Sequence, residues 1–213
     1  MDLHAASTLI DWRLRVADIY ARVRADDDPE RAHAVWRTGR DELFRTHDQS
    51  PLPAHDPLRE TGLPVWPYDP RWRIEAVVEP LPEGDGPDEE RGLDTGDDGS
   101  LTLRRIGRAE LPDGEGLDVW RMHQYAGGLF VPLKDGTSGT TTYGAGRYLL
   151  DTAKGSWLGG GTAPDGRATI VLDLNFAYHP SCRYDDRWRC PLASPGNTIA
   201  SSVEAGERLG TQG

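Results

Sequence analysis

Only two cysteines, Cys182 and Cys190, and only two lysines, Lys134 and Lys154, occur in the 213 residues. There is no paired Cys-x-x-Cys knuckle of the kind structural zinc sites use. No run of about 18 apolar residues exists, so nothing reads as a membrane-spanning helix. The opening Met1-Asp2-Leu3-His4 lacks the basic-then-apolar plan of a secretion signal, and the expectation is a soluble, cytoplasmic protein. Positive charge is short too: 24 basic residues against 35 acidic ones leave a formal net charge of −11. A nucleic-acid partner is not expected, because displacing counterions from phosphates needs a cationic face. No membrane partner is expected either. The catalytic signatures tested are also missing. No Gly-x-x-x-x-Gly-Lys-Ser/Thr or His-Glu-x-x-His run occurs, and Ser138 does not sit in a nucleophile elbow. Leu149 stands where a dinucleotide fingerprint beginning at Gly144 would need its third glycine.

What is present is a chain long enough for a real core, with 7 Trp and 7 Tyr arguing against disorder. Arginine supplies nearly all the positive charge, and its enrichment beside Ala, Gly, Pro and Asp reads as the codon bias of a GC-rich genome. Residues 7–25 carry Leu9, Trp12, Val16, Tyr20 and Val23 at helical spacing. After Asp26-Asp27-Asp28 a second helix is predicted, with Asp28 as cap, Pro29 in the first turn and Glu30 at the positive end of the dipole. Its buried stripe would be Ala32, Val35, Trp36 and Leu43. Ser50-Pro51-Leu52-Pro53 stops it.

Past the prolines at 57, 64, 67 and 70 the pattern changes to short alternating runs, which predict strands near 71–79, 101–110, 117–124, 128–133, 139–144, 147–151, 167–174 and 198–205. Gly159-Gly160-Gly161 reads as loop punctuation. Residues 83–98 hold eight acids against one arginine and read as a solvated, flexible insertion. The expected fold class is therefore α+β: an N-terminal helical segment, 1–50, packed on a β-rich part, 51–213, that closes as a mainly antiparallel β-barrel or β-sandwich, the whole forming one structural domain.

Candidate chemistry concentrates between Thr141 and Asn197. In Tyr143-Gly144-Ala145-Gly146-Arg147-Tyr148 the glycines permit a tight turn that re-aims Arg147 inward, where its fork of donors suits a carboxylate or phosphate. Internal pairing with an acid such as Asp173 is the competing reading. In 173–182 a strand would place Asp173, Asn175 and Ala177 on one face, either bracing the following loop or lining a pocket. His179, Cys182 and Cys190 together could supply three metal ligands, against a disulfide or two free thiols. His123 alternates with Arg121 and Tyr125 and could face a cavity.

Several motifs occur in one order: Gly62-Leu63-Pro64-Val65-Trp66-Pro67-Tyr68-Asp69-Pro70, Tyr143-Gly144-Ala145-Gly146-Arg147-Tyr148, Asp173 through Cys182, Cys190-Pro191-Leu192 and Ala205-Gly206-Glu207. By them the chain resembles an uncharacterised prokaryotic family catalogued as domain of unknown function sixteen-eighty-four. The resemblance spans nearly everything from Trp36 onward and implies no activity, substrate or cofactor. Members often carry asparagine at the position of His179 and glutamate at that of Gly196, so a His–Cys metal centre would not be family-wide. Arg105-Ile106-Gly107-Arg108 followed by Leu133 to Thr140 is also similar to the phosphothreonine-binding forkhead-associated sandwich, without its serine and asparagine signatures. The leading expectation is a small-molecule binding domain with an anionic ligand held by Tyr143, Arg147, Asp173, Asn175, Tyr178 and His179. An enzyme using His179, Cys182 and Cys190 is the alternative, and a phosphopeptide or protein-interaction module the third. No cofactor and no oligomeric state is assigned.

Overall fold

The computed structural model describes residues 2–81, 90–94, 99–123, 125 and 127–210. Helix α1 (Leu3–Ala25) begins earlier than the apolar pattern, because Asp2 Oδ1 accepts the Ala5 amide at 2.8 Å and caps the end. Helix α2 (Pro29–Thr46) starts where the sequence places it. Asp28 accepts from the amides of Glu30 and Arg31 at 3.0 and 3.2 Å, with Pro29 in the first turn. Val35 on its stripe is only half-buried, while His33 and Phe44 are buried. A single turn, α3 (Leu58–Thr61), follows.

Eight strands come next: β1 (Arg73–Pro80), β2 (Glu90–Asp94), β3 (Ser100–Glu110), β4 (Gly116–Met122), β5 (Gly128–Leu133), β6 (Arg147–Asp151), β7 (Gly160–Thr162) and β8 (Ala168–Asp173). Every pairing is antiparallel, in the order β6-β5-β4-β3-β1-β8-β7, and the sheet curves into a half-barrel. The class is α+β with a barrel-like sheet, as the sequence predicts. β3 is long enough to receive two neighbours in succession on one edge: β2 along residues 100–104 and β1 along 107–109.

The helices share a core with one set of sheet side chains. Tyr20, Trp36 and Phe44 pack with Trp120, Phe130, Tyr148, Phe176 and Tyr178. Trp36 is wholly buried and its indole donates to the Tyr20 hydroxyl at 3.1 Å. An aromatic side chain of that size contributes about 5 kcal/mol of gross burial. A second cluster of buried side chains, mainly aliphatic, includes Leu117, Val131, Leu133, Leu172, Val203 and Ala205.

Four expectations change. Residues 139–144 are turns, not a strand, because the amides of Thr140, Thr141 and Thr142 all donate to the Thr137 carbonyl at 3.1 Å. Residues 198–205 are irregular, with one isolated bridge between Thr198 and Lys134. The glycine run at 159–161 supplies β7 instead of a loop. The acidic segment 83–98 contains β2, paired along β3; its residues 83–89 and 95–98, on which the flexible-loop expectation falls, lie outside the described residues. Among the described residues no helix is long and apolar enough to cross a membrane.

Candidate functional site

Arg147 opens β6, and the turn before it works as the glycines suggest. Gly146 has φ +94°, and a Cβ there would sit 2.4 Å from the Leu133 carbonyl oxygen. The chain thus turns Arg147 into the interior, where its side chain is fully buried against Asp135. One terminal nitrogen donates to Asp135 Oδ2 at 2.7 Å and to the Val203 carbonyl at 2.9 Å. The other donates to the carbonyls of Ala205 and, at 3.2 Å, Glu207. Burial lowers its pKa, and the Asp135 carboxylate beside it opposes that shift. Both terminal nitrogens are spent internally, on Asp135 rather than Asp173 and on the carbonyls of the 203–207 segment, which they fasten to the sheet, while the buried Nε has no hydrogen-bond partner.

Glu207 centres a second buried network. Its Oε2 accepts from Arg40 and from the His179 amide, each at 3.0 Å, and Tyr184 donates its hydroxyl to Oε1. Burial pushes its carboxyl up, but Arg40 and His179 hold it below the usual range. The Arg40 guanidinium also lies between the rings of Trp36, Phe44 and Tyr178, 4.8 to 5.2 Å from each centroid. His179 uses both ring nitrogens here: Nε2 accepts the Tyr143 amide at 3.2 Å, and Nδ1 lies 3.5 Å from Glu207 Oε1. The expected metal set of His179, Cys182 and Cys190 is therefore not assembled, because the imidazole is turned to Glu207. Among the described residues no three His, Cys, Asp or Glu side chains gather as ligands. Tyr178 is buried in the core, with its backbone paired to Tyr148 at 2.8 and 3.1 Å.

Asp173 and Asn175 form a third network. The strand ends at Asp173 and becomes a 3-10 turn at Leu174–Phe176, so the two do not simply alternate along one face. Asp173 Oδ1 accepts from the Asn175 amide and side chain, and Oδ2 accepts from Arg73 at 3.0 Å. Asn175 clasps Asp69 through both backbone groups, at 2.9 Å each. His33, stacked on Trp36, bonds the Asn175 carbonyl. The row braces the 67–71 segment, which precedes it in the chain, and not the loop that follows. His123 is exposed.

Two places remain partly open. In the first, Tyr143, Cys182 and Cys190 come together. The Cys182 amide donates to Cys190 Sγ at 3.3 Å, and the Cys182 thiol bonds the same sulfur. That bond raises the Cys182 pKa well above the thiol range and lowers the Cys190 pKa to about 6, with Lys154 adding to the second effect. Both thiols are free and half-buried.

The second is a cleft of about 640 Å³ lined by Trp66, Thr140, Thr141, Arg183, Glu204 and Arg208, among others. Backbone bonds tie its walls together: Trp66 N to the Gly206 carbonyl at 3.0 Å, Arg208 N to Pro64 at 2.9 Å and Leu209 N to Thr141 at 2.8 Å. The Trp66 ring has Arg147 at 5.7 Å and Arg208 at 6.0 Å from its centroid. Arg208 Nε is shielded from solvent and has no hydrogen-bond partner. Among the described residues neither Arg183 nor Arg208 is in an ion pair. Sequence reasoning missed this cleft, since it is built from four distant segments; Trp66 and the Ala205-Gly206-Glu207 motif were its only local signals.

A sequence model of the family described as "Protein of unknown function (DUF1684)" matches residues 60–208. No curated protein matches the chain. Among solved structures, the solution NMR structure of an uncharacterized protein from gene locus rrnAC0354 of Haloarcula marismortui is similar. It is 31% identical, the match covers 83% of this chain and 92% of that chain, and the TM-score is 0.55.

Proposed function

The chain belongs to that family of proteins of unknown function, and from this premise we propose that it binds a small anionic molecule in the cleft around Trp66, Arg183 and Arg208. The observation that carries the reading is Arg208, which holds a buried, unsatisfied Nε beside the Trp66 ring. A buried donor without an acceptor costs about 1–3 kcal/mol, and an incoming carboxylate or phosphate oxygen would remove that penalty. Two guanidiniums on one cleft can grip such a group bidentately. Thr141 adds a hydroxyl donor, the Thr140 hydroxyl being given to the Thr137 carbonyl at 2.7 Å, and the ring face of Trp66 suits a planar part of the ligand. The cleft also carries the carboxylates of Asp56 and Glu204, but neither is in an ion pair with Arg183 or Arg208, which leaves both guanidiniums available to an anion. Arg147 then has a positioning role: it holds the 203–207 segment and backs Trp66.

Isothermal titration calorimetry with inorganic phosphate, citrate and adenosine monophosphate as probes tests this. At least one probe binds saturably, and Arg208→Gln and Arg183→Gln each weaken it about tenfold, the equivalent of one charge-assisted hydrogen bond. Arg24→Gln, on α1, leaves the affinity unchanged. Absence of binding by all three probes, or binding indifferent to both cleft substitutions, refutes the assignment.

A further inference from the structure

We propose that Cys182 and Cys190 form a thiol–disulfide exchange site, in which Cys190 attacks a small disulfide and Cys182 resolves the adduct. The site adjoins the anion cleft, Cys182 being the chain neighbour of Arg183, but uses none of its lining residues and goes beyond that reading. Its geometry rests on the pair. With the Cys182 amide 3.3 Å from Cys190 Sγ, and the two thiols close enough to shift each other's titration, the cysteines are neighbours. A disulfide needs the β-carbons only about 4 Å apart, which neighbouring sulfurs reach by side-chain rotation.

The surroundings distinguish the two thiols. Cys190 receives an amide hydrogen, the Cys182 thiol hydrogen and the field of the Lys154 ammonium, all of which favour a thiolate. Cys182 is the donor in that pair and stays protonated, with the Tyr143 hydroxyl bonded to it. Tyr148 donates to the Pro191 carbonyl at 2.7 Å and so fixes the backbone next to Cys190. Both residues are half-buried, unlike a thiol enclosed in a core.

The chemistry balances without any further group. The Cys190 thiolate attacks one sulfur of a disulfide RSSR, forming Cys190–S–SR and expelling RS⁻. Cys182 then loses its proton to RS⁻ and attacks Cys190 Sγ, forming the Cys182–Cys190 bond and releasing the second RS⁻, which solvent protonates. Two electrons pass from the protein dithiol to RSSR, yielding two RSH. A dithiol donor reverses the sequence.

Glutathione disulfide and iodoacetamide are the probes, on the full chain. Trypsin cuts after Arg183, Arg187 and Arg189, so the two cysteines fall on different peptides and a bond between them appears as a linked pair. Exposure to glutathione disulfide is expected to remove both free thiols with a mass loss of about 2 Da, and dithiothreitol restores them. Cys182→Ser accumulates one glutathionyl group on Cys190. In the wild type at pH 7, iodoacetamide labels Cys190 at least about tenfold faster than Cys182, a comparison that needs no variant to fold. Equal labelling rates, or stable glutathione adducts on both cysteines without a linked peptide, overturn the proposal. Neither result bears on the calorimetry of the cleft.

Discussion

Removing the acid under Arg147 separates a structural arginine from a ligand anchor. In Asp135→Ala the guanidinium keeps its carbonyl acceptors at Val203, Ala205 and Glu207 but loses its counter-charge in a fully buried site. Asp135 also holds Thr137, accepting its amide at 2.7 Å and its hydroxyl at 2.5 Å, so the amide is orphaned as well, while the hydroxyl can turn to Thr142 Oγ1 at 2.9 Å. Leaving one charge of a buried pair uncompensated costs about 3–5 kcal/mol. For a chain of this size that lowers Tm by on the order of 10 °C. Arg147→Met should cost a similar amount, because it strands the carboxylate and three carbonyls. Arg147→Lys should fall between the wild type and Arg147→Met, since an ammonium cannot span acceptors on both sides of the fork. The double variant Asp135→Ala with Arg147→Met should be less destabilised than the sum of its parts by at least about 2 kcal/mol. Urea denaturation of the four variants and the wild type reads all these quantities from the midpoints. If Arg147→Met left stability within about 1 kcal/mol of the wild type, the argument that Arg147 is committed to the interior would be wrong.

Two further outcomes follow from single residues. Gly206 has φ +74°, and a Cβ there would lie 2.5 Å from the Ala177 carbonyl oxygen and 2.8 Å from that of Leu174, so Gly206→Ala should cost about 3 kcal/mol in urea denaturation; a loss below about 1 kcal/mol would mean the 203–207 segment can shift. His33 has its pKa lowered by burial, opposed by its bond to Asn175 and by Asp173. The unfolded chain therefore takes up the proton first as pH falls, and stability should be full above about pH 6.5 and decline below it. Urea midpoints at pH 7.5 and 5.5 check this, and His33→Phe should flatten that part of the profile.

The sequence carries the fold where one segment's own chemistry decides the outcome. Asp28-Pro29-Glu30 marks the start of α2 because cap, proline and dipole charge all act within one turn. Short apolar runs that begin at a glycine mark β4 and β5 for the same reason. β2 is hidden because Glu90, Arg91 and Asp94 suggest solvent; its order comes from the edge of β3, supplied by residues at 100–104. The threonines of 139–144 have strand propensity, yet one carbonyl, that of Thr137, collects three amides and winds them into turns. Within the polar motifs, residue type predicts burial with hydrogen bonding but not its purpose. Asp173, Asn175 and His179 are satisfied by Asp69, Arg73 and Glu207, partners 28 to 106 positions away. Asp135 and Glu207 have no local signature at all, since a buried carboxylate is spelled like an exposed one. The thiol pair was nearly legible, as its spacing is short and only its geometry was missing.

The order in which the chain is made gives the 203–209 segment a kinetic meaning. Antiparallel hairpins such as β3–β4 and β4–β5 join neighbours in sequence and close cheaply. The bonds from Arg147 to Val203, Ala205 and Glu207 span 56 to 60 residues and form only after β8 has been synthesised. Until then an edge strand, β6, begins with a cation whose acceptors do not yet exist. Docking of this segment is thus a late step in folding, so damage to it should accelerate unfolding more than it slows folding. During synthesis, the interval in which β6 is open to proteases and chaperones is set by how quickly that segment arrives.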